Sequence, residues 1–441
     1  MKTGGSVDRV NRMGSLRRMA VRVALAVTLA LSAGIAGLIP ATAAAGTAQP
    51  IVIEHWQHSS PGRNVVIQQL AEEFNKRNPD VQVKVQIYEL GEFVTKITTA
   101  LATNLGPDTF QVRSGEVRVF QAAGALQPLD EKQITAEQIE QEFVPAPLYH
   151  FKHGGKYYAL PVDAQTVVLF YNTKVFEEAG LDSRRPPQTW DQVVEYAKKL
   201  VKIDAAGQMR IQGAATGGYG PVLATFMIQA GASLWNKEKD LPDFTGPAVE
   251  KGFQFALDLV MRHKVEDPGA NRWSAFRKDA LGMVWAHPAM IGSFRADKPT
   301  PEFSVTEAPA AVAGGSRASL MTNWGLVIAK KAPREAATRW IRFVTSPEAQ
   351  RLYFSYVGEL PTRLAVLDQV DVVKDPLYRP VVSSVKVAVP TPWVTTRLWD
   401  ELLRKAYQLV TQVGQSPASA LSWLQEEAVK AELQDRAKAK M

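Results

Sequence analysis

From Ile51 to Ile87 the chain reads strand, helix, strand, and this unit limits the fold more than any other segment. Ile51 to Ile53 is a short apolar run. A helix over Val65 to Lys76 follows, with Ile67, Leu70, Ala71 and Phe74 on one face and Pro79 as its stop. Val81, Val83, Val85 and Ile87 then alternate with Gln82, Lys84 and Gln86, the period of a half-buried strand. Such a βαβ unit requires parallel strands and a right-handed crossover. A further helix over Phe93 to Asn104 and a strand over Thr109 to Val112 continue the series, so the first part of the chain is an open α/β sheet. Ligands of such sheets bind beyond the carboxyl ends of the strands. Here those ends are His55 to Pro61, Glu89 to Glu92 and Arg113 to Glu116, which makes Gln57, His58, Ser59, Glu89 and Arg113 candidate ligand contacts.

Val167 to Tyr171 is a continuous β-branched and aromatic run, the pattern of a strand buried on both faces of a mostly parallel sheet. Lys174 to Ala179 reads as a short helix that ends at Gly180, with Leu181 folding back behind it. Thr189 caps the next helix, with Gln192 reaching back to it and Val193, Tyr196, Ala197, Leu200 and Val201 at helical spacing. Later expectations are a helix over Ala248 to His263, strands over Met283 to Trp285 and Phe303 to Ala308, and a helix over Glu335 to Thr345. Ser346 then caps another helix that carries Pro347 in its first turn.

A chain of 441 residues exceeds one simple core and predicts two or three compact units. Its first 22 residues hold Lys2, Arg9, Arg12, Arg17, Arg18 and Arg22. Val23 to Ile39 is uncharged and apolar, and small residues Ala41 to Gly46 follow Pro40. This is the layout of a secretory signal peptide over residues 1–45, cleaved after Ala43 or Ala45; the apolar run is slightly short for a membrane span. The SLRRMAV context of Arg17 and Arg18 matches a twin-arginine signal poorly, so general secretion is the expected route. Removing the residues before Ala44 lowers the formal charge from +7 to +2 and leaves no basic stripe with interleaved aromatics, so nucleic acid is not expected as a partner. With no cysteine there is no disulfide, thiolate site or lipidated cysteine anchor, and a free periplasmic monomer is expected.

The candidate chemistry is sparse. His55 with His58 and His150 with His153 are HxxH pairs without the HExxH carboxylate, so no metal is expected; His58 fits a hydrogen-bonding role in the first loop, and His150 and His153 fit the surface. No GxSxG, GxxxxGK or strand-linked GxGxxG motif is present, so no catalytic residue and no cofactor are expected. Glu54, Glu89, Asp108 and Asp163 leave a glycoside-cleaving carboxylate pair as the enzymatic alternative, with Asp108 read as a turn residue. Aromatic platforms suit the C–H faces of sugars, and Trp56, Trp235, Trp285 and Trp324 fall at or beside expected strand ends, while Trp340 belongs to a helical core face.

The segment from Gly155 to Asp191, with Gly106 to Asp108, GALQPLD from Gly124, MTNWGLVIA from Met321 and GELPTR from Gly358, resembles the family 1 extracellular solute-binding proteins, which include maltose- and oligosaccharide-binding proteins. The resemblance covers nearly the whole mature chain. It implies a two-lobe α/β periplasmic binding protein fold, each lobe an open, mostly parallel sheet flanked by helices, with the ligand cleft between lobes. Residues 46–163 with 324–362 would form the first lobe and 164–323 with 363–441 the second. It further implies a carbohydrate ligand, delivery to the permease subunits of an ABC importer, and no catalysis. Asp163 and Gln165 would face the cleft as hydroxyl acceptor and amide, joined by Tyr219, Trp235, Trp285, Asn323, Trp324 and Arg363. A polyol phosphate, for which Arg113 and His58 would matter more, is the alternative ligand.

Overall fold

The structure, a computed structural model, describes residues 49–438 apart from 104, 298–301, 368, 370–373 and 396–397. The expected signal peptide lies outside these residues.

The opening βαβ unit forms as its periodicity dictates. Strands Ile51–His58 and Val81–Tyr88 are parallel and joined by helix Pro61–Arg77, and Thr109–Arg113 adds in parallel on the other side of Ile51–His58. Beyond it, strand Trp324–Ala329 runs antiparallel, with Trp324 opposite Arg113, and Leu126–Gln127 and Ala159–Pro161 pair with that strand in turn. His58, Arg113 and Trp324 are thereby brought to one edge. Beneath the sheet, Phe74, Phe110, Ile341 and Trp340 are buried in one core, Trp340 as its helical face requires.

The second sheet is ordered Phe303–Glu307, Val168–Asn172, Leu281–Ala286, Met209–Ala215 and Lys202–Ile203. Every residue of Val168–Asn172 is buried because the sheet is covered on both faces. Leu169 and Tyr171 point into a core with Trp285, Phe226 and the C-terminal helices, whereas Val168 and Phe170 point into another with Phe276, Phe294 and Val381. Each fully buried side chain of this kind contributes about 1.5–3 kcal/mol. The expectation of mostly parallel sheets needs correction, since Val168–Asn172 is antiparallel to both neighbours and Trp324–Ala329 is antiparallel to all of its own. A continuous apolar run encodes burial on two faces, and that is indifferent to strand direction.

Local signals hold at the helix ends. Gly180 takes a left-handed φ of 72°, and Leu181 N–H returns to the Phe176 carbonyl at 2.9 Å. The hydroxyls of Thr189 and Ser346 accept from Gln192 and Ala349 amides. The side chain of Gln192 reaches Gln188 N–H rather than the cap residue itself.

Between the sheets the chain crosses three times. Gln165 and Thr322 exchange backbone hydrogen bonds of 2.9 and 2.8 Å, Val162 N–H donates to the Trp324 carbonyl, and Ala164 bridges to Leu360. His150, expected at the surface, is buried beside these crossings with its Nε2 2.7 Å from the Thr391 carbonyl; His153 is exposed.

Candidate functional site

At the edge of the first sheet, consecutive strand ends raise a group of polar side chains that packing has largely desolvated. His58 lies on the Trp324 ring at 4.3 Å between centroids, and the Arg113 guanidinium sits 5.5 Å from that ring. Gln57 and Gln111 are buried alongside, and Gln57 Nε2, His58 Nδ1 and Gln111 Oε1 have no protein partner. Burial, then the positive charges of Arg63 and Arg113, push the His58 imidazole down to a pKa of about 3, so it is neutral at physiological pH.

Arg63 is a residue that sequence reasoning missed. It enters from the first turn of helix Pro61–Arg77, is buried, and donates from Nη2 to Asp163 at 2.8 Å and from Nε to Glu359 at 2.5 Å. Its Nη1 has no protein partner. Burial drives the Glu359 carboxyl up to about 7 against the opposing pull of Arg63, and the nearby Asp163 charge raises it further.

The second sheet contributes a matching edge. Gly217 and Gly218, both at positive φ, turn the chain from strand Met209–Ala215 toward helix Gly220–Gln229. Glu266, fully buried, accepts from the Thr216 and Gly217 amides and the Thr216 hydroxyl and so pins this turn. Arg272 stacks between aromatic neighbours, 4.9 Å from the Tyr219 ring centre and 4.2 Å from that of Trp273, and donates to the Thr216 carbonyl while its Nε has no protein partner. Around it opens a cavity of about 330 Å³ lined by Gly217, Tyr219, Gly220, Arg272, Trp273 and Arg404. His287 follows strand Leu281–Ala286 with an unpartnered Nδ1; burial, then the charges of Arg272 and Arg63, hold it neutral at a pKa of about 4. One arginine packed against each sheet thus bears on the same imidazole.

Several expected contacts lie elsewhere or already have partners. Asp163 is fully buried and bonded at both oxygens: one receives Arg63 at 2.8 Å and Gln165 Nε2 at 2.6 Å, the other Trp324 N–H at 2.7 Å. Its place in the crossing makes it a brace rather than a hydroxyl acceptor. Asn323 is buried with its amide donating to the Pro147 carbonyl at 3.1 Å. Arg363 pairs with Glu142, donates to the Thr345 carbonyl at 2.6 Å and covers the Phe143 ring. Trp285 is wholly buried against Phe226, because its strand has a core on each face. Trp235 sits in the small hairpin of Trp235–Asn236 and Leu241–Pro242, under the Arg436 guanidinium of the C-terminal helix. Glu89 is exposed and its side chain makes no capping bond to the following helix. Ser59 accepts from the Asn64 amide at 3.2 Å.

Asp163, Glu54 and Asp108, considered for the enzymatic alternative, are engaged within the chain. Glu54 accepts from Trp56 and Gln86, and Asp108 holds the Glu54 amide. Among the described residues no group of three or more His, Asp or Glu side chains is placed to hold a metal. A sequence signal for the missed arginines did exist. Arg63 and Arg272 both occupy the first turn of a helix, where the macrodipole disfavours a cation unless something else holds it.

The chain and its fold are similar to known proteins. Over 379 residues the chain is 26% identical to the mannitol-binding protein of Pseudomonas aeruginosa, covering 81% of this chain and 85% of that one. It is 25% identical over 335 residues to the maltotriose-binding protein of Pyrococcus abyssi, 73% and 69% covered. Its fold superposes with a TM-score of 0.74 on an ABC transporter solute-binding protein of Thermotoga lettingae bound with α-D-tagatose, at 22% identity over 86% of this chain and 99% of that one. This is the expected two-lobe α/β architecture. Residues 60–351 match the model of the bacterial extracellular solute-binding proteins, and the chain belongs to that family.

Proposed function

We propose that this protein is the receptor of an ABC importer, capturing a sugar or polyol between its two lobes and delivering it to membrane-spanning permease subunits. The lobes are taken as residues 46–163 with 324–362 and 164–323 with 363–441. The observation that carries the proposal is the set of buried polar atoms without protein partners at strand ends and first helical turns: Gln57 Nε2, His58 Nδ1, Arg63 Nη1 and Gln111 Oε1 about the first sheet, Arg272 Nε and His287 Nδ1 about the second. Leaving such a group unpaired costs about 1–3 kcal/mol, and a polyhydroxylated ligand reaching both edges removes that penalty only when the edges are together. Binding therefore shifts the population toward a closed form about the three crossings. The mannitol- and maltotriose-binding relatives support a hydroxyl-rich ligand. The Trp324 and Tyr219 rings supply flat surfaces for it.

The chain performs no chemistry of its own in this reading, needs no cofactor, and acts as a monomer in the periplasm after loss of its leader, without a lipid anchor. The test is to follow melting temperature and tryptophan fluorescence of the purified protein against a panel of sugars and polyols. Stabilisation by an unaltered solute is expected. Recovery of a shortened sugar would sink the non-enzymatic reading in favour of a secreted glycan-active enzyme.

A further inference from the structure

We infer that Glu266 and Tyr407 are positioning residues for the solute: Glu266 grips the turn at Thr216 to Gly218 and Tyr407 backs it, so that Arg272 and Tyr219 stand in place before a solute arrives. That role rests on the proposed reading of this edge as a solute site. Thr216 is wholly buried and held at each of its polar atoms. Its amide donates to Glu266 Oε2 at 3.0 Å, its hydroxyl lies 3.2 Å from both carboxylate oxygens, and its carbonyl accepts from Arg272. Gly217 N–H adds a 2.7 Å bond to Glu266 Oε1, and Gly218 N–H returns to the Thr216 hydroxyl at 3.2 Å. Arg272 thus takes its place from a carbonyl whose own residue is fixed by Glu266. Tyr219 follows the turn directly and leads into helix Gly220–Gln229, so it inherits the turn's direction.

Glu266 is itself firmly anchored. Val265 N–H donates to the Leu259 carbonyl at 2.8 Å, within helix Pro247–Met261, while Gly213 N–H donates to the Val265 carbonyl at 2.9 Å and Asp267 N–H to Gln212 Oε1 at 3.0 Å. The carboxylate is therefore tied both to a helix end and to strand Met209–Ala215. Tyr407, from helix Leu403–Thr411, backs the turn with a buried ring. A Cβ on Gly218 would lie 2.6 Å from that ring, and one on Gly217 would strike the Arg272 guanidinium. Bare glycine at both positions, each at positive φ, lets the ring and the guanidinium close on the backbone. An exposed loop satisfies its amides with water, whereas burying an ionised carboxylate is costly unless it is fully bonded. A buried carboxylate that holds a turn lining a cavity with Gly217, Tyr219 and Arg272 on its wall serves rigidity. Rigidity before binding raises affinity, because less ordering remains for the solute to impose.

Two readouts on the purified protein test this: isothermal titration with mannitol, glucose and maltotriose, and fluorine NMR of protein labelled with fluorotryptophan. The Trp273 resonance, assigned through Trp273→Phe, reports the stack with Arg272, and the core residues Trp340 and Trp393 are controls. Glu266→Gln keeps the side-chain shape but sets an amide donor against the turn's own donors. It is expected to shift the Trp273 resonance with Trp340 and Trp393 unmoved, and to weaken binding of the solutes that the wild type takes by about tenfold or more. Tyr407→Leu, which removes the ring behind Gly218, is expected to act in the same direction, and it carries the test if Glu266→Gln does not fold. Tyr407→Phe is expected to match the wild type. A purely structural role lowers the melting temperature and leaves the folded variants' affinity and Trp273 signal intact; that result would overturn the inference and leave the solute-receptor reading standing. Binding of none of the three solutes by the wild type would overturn that reading and the inference with it.

Discussion

The crossings and the strand ends both bury polar side chains, yet they treat them in opposite ways. At the crossings Asp163, Asn323 and Arg363 are buried and bonded to other parts of the chain, and Arg63 ties Asp163 to Glu359. At the strand ends Gln57, His58, Gln111, Arg272 and His287 are desolvated but keep polar atoms with no protein partner. A hinge must keep its geometry in every state of the protein, so its polar groups are satisfied internally. A binding edge stays receptive only if some of its groups are not.

Acid gives the largest expected contrast. His55 and His58, in the first strand, are held near 3 and His150 near 4, all first by burial. These folded values lie below the unfolded value of 6.5, so their stabilisation is fully present above pH 6.5 and is lost as pH falls toward 3–4. Glu359 is raised to about 7 from 4.5, so its contribution is present below pH 4.5 and is lost as pH rises through 7. His287, held near 4 by burial, adds a fourth group of the same sign, and four groups outweigh one. Stability is expected to fall by on the order of 7 kcal/mol between pH 6.5 and 4.5, read by urea denaturation at stepped pH. A flat profile would remove the buried neutral histidines from the account.

Breaking the hinge brace comes next. Arg63→Met leaves two buried carboxyls without their cation and is expected to lower stability by about 3–5 kcal/mol, measured by denaturant midpoint at pH 7. A loss of solute affinity alone, with stability intact, would leave Arg63 its place in the site and remove it from the brace. The two tryptophans sharpen the comparison further. Trp285→Ala is expected to destabilise by about 3–5 kcal/mol through its cavity, while Trp324→Ala lowers stability much less and solute affinity by about 1–2 kcal/mol through loss of a ring platform. The reverse ranking would invert their assignments. Smallest of all, Glu89→Ala at its exposed position is expected to alter stability by less than about 0.5 kcal/mol. A clear loss of solute affinity in that variant would bring Glu89 back into the site.

The candidate site was legible where it depended on strand ends. His58, Arg113 and Trp324 were expected there from the βαβ pattern and the family motifs, and the sheet register brings them to one edge. Asp163 and Trp285 were legible as positions but not as roles, since a residue beside a cleft motif and a residue bonded behind it have the same local sequence. The first-turn positions of Arg63 and Arg272 were the one local hint of the missed cations.

Sequence alone determined the local elements: the two-period and 3.6-period runs, the left-handed stop at Gly180, and the caps at Thr189 and Ser346. These depend on neighbours within a turn or two. Only the tertiary structure decided the strand directions and which polar groups are bonded within the chain. The partners of Arg63 stand 100 and 296 residues away, and no periodicity or cap encodes a pairing over that distance. Whether a buried polar atom is satisfied is a property of the assembled fold, and that property separates the hinge from the site.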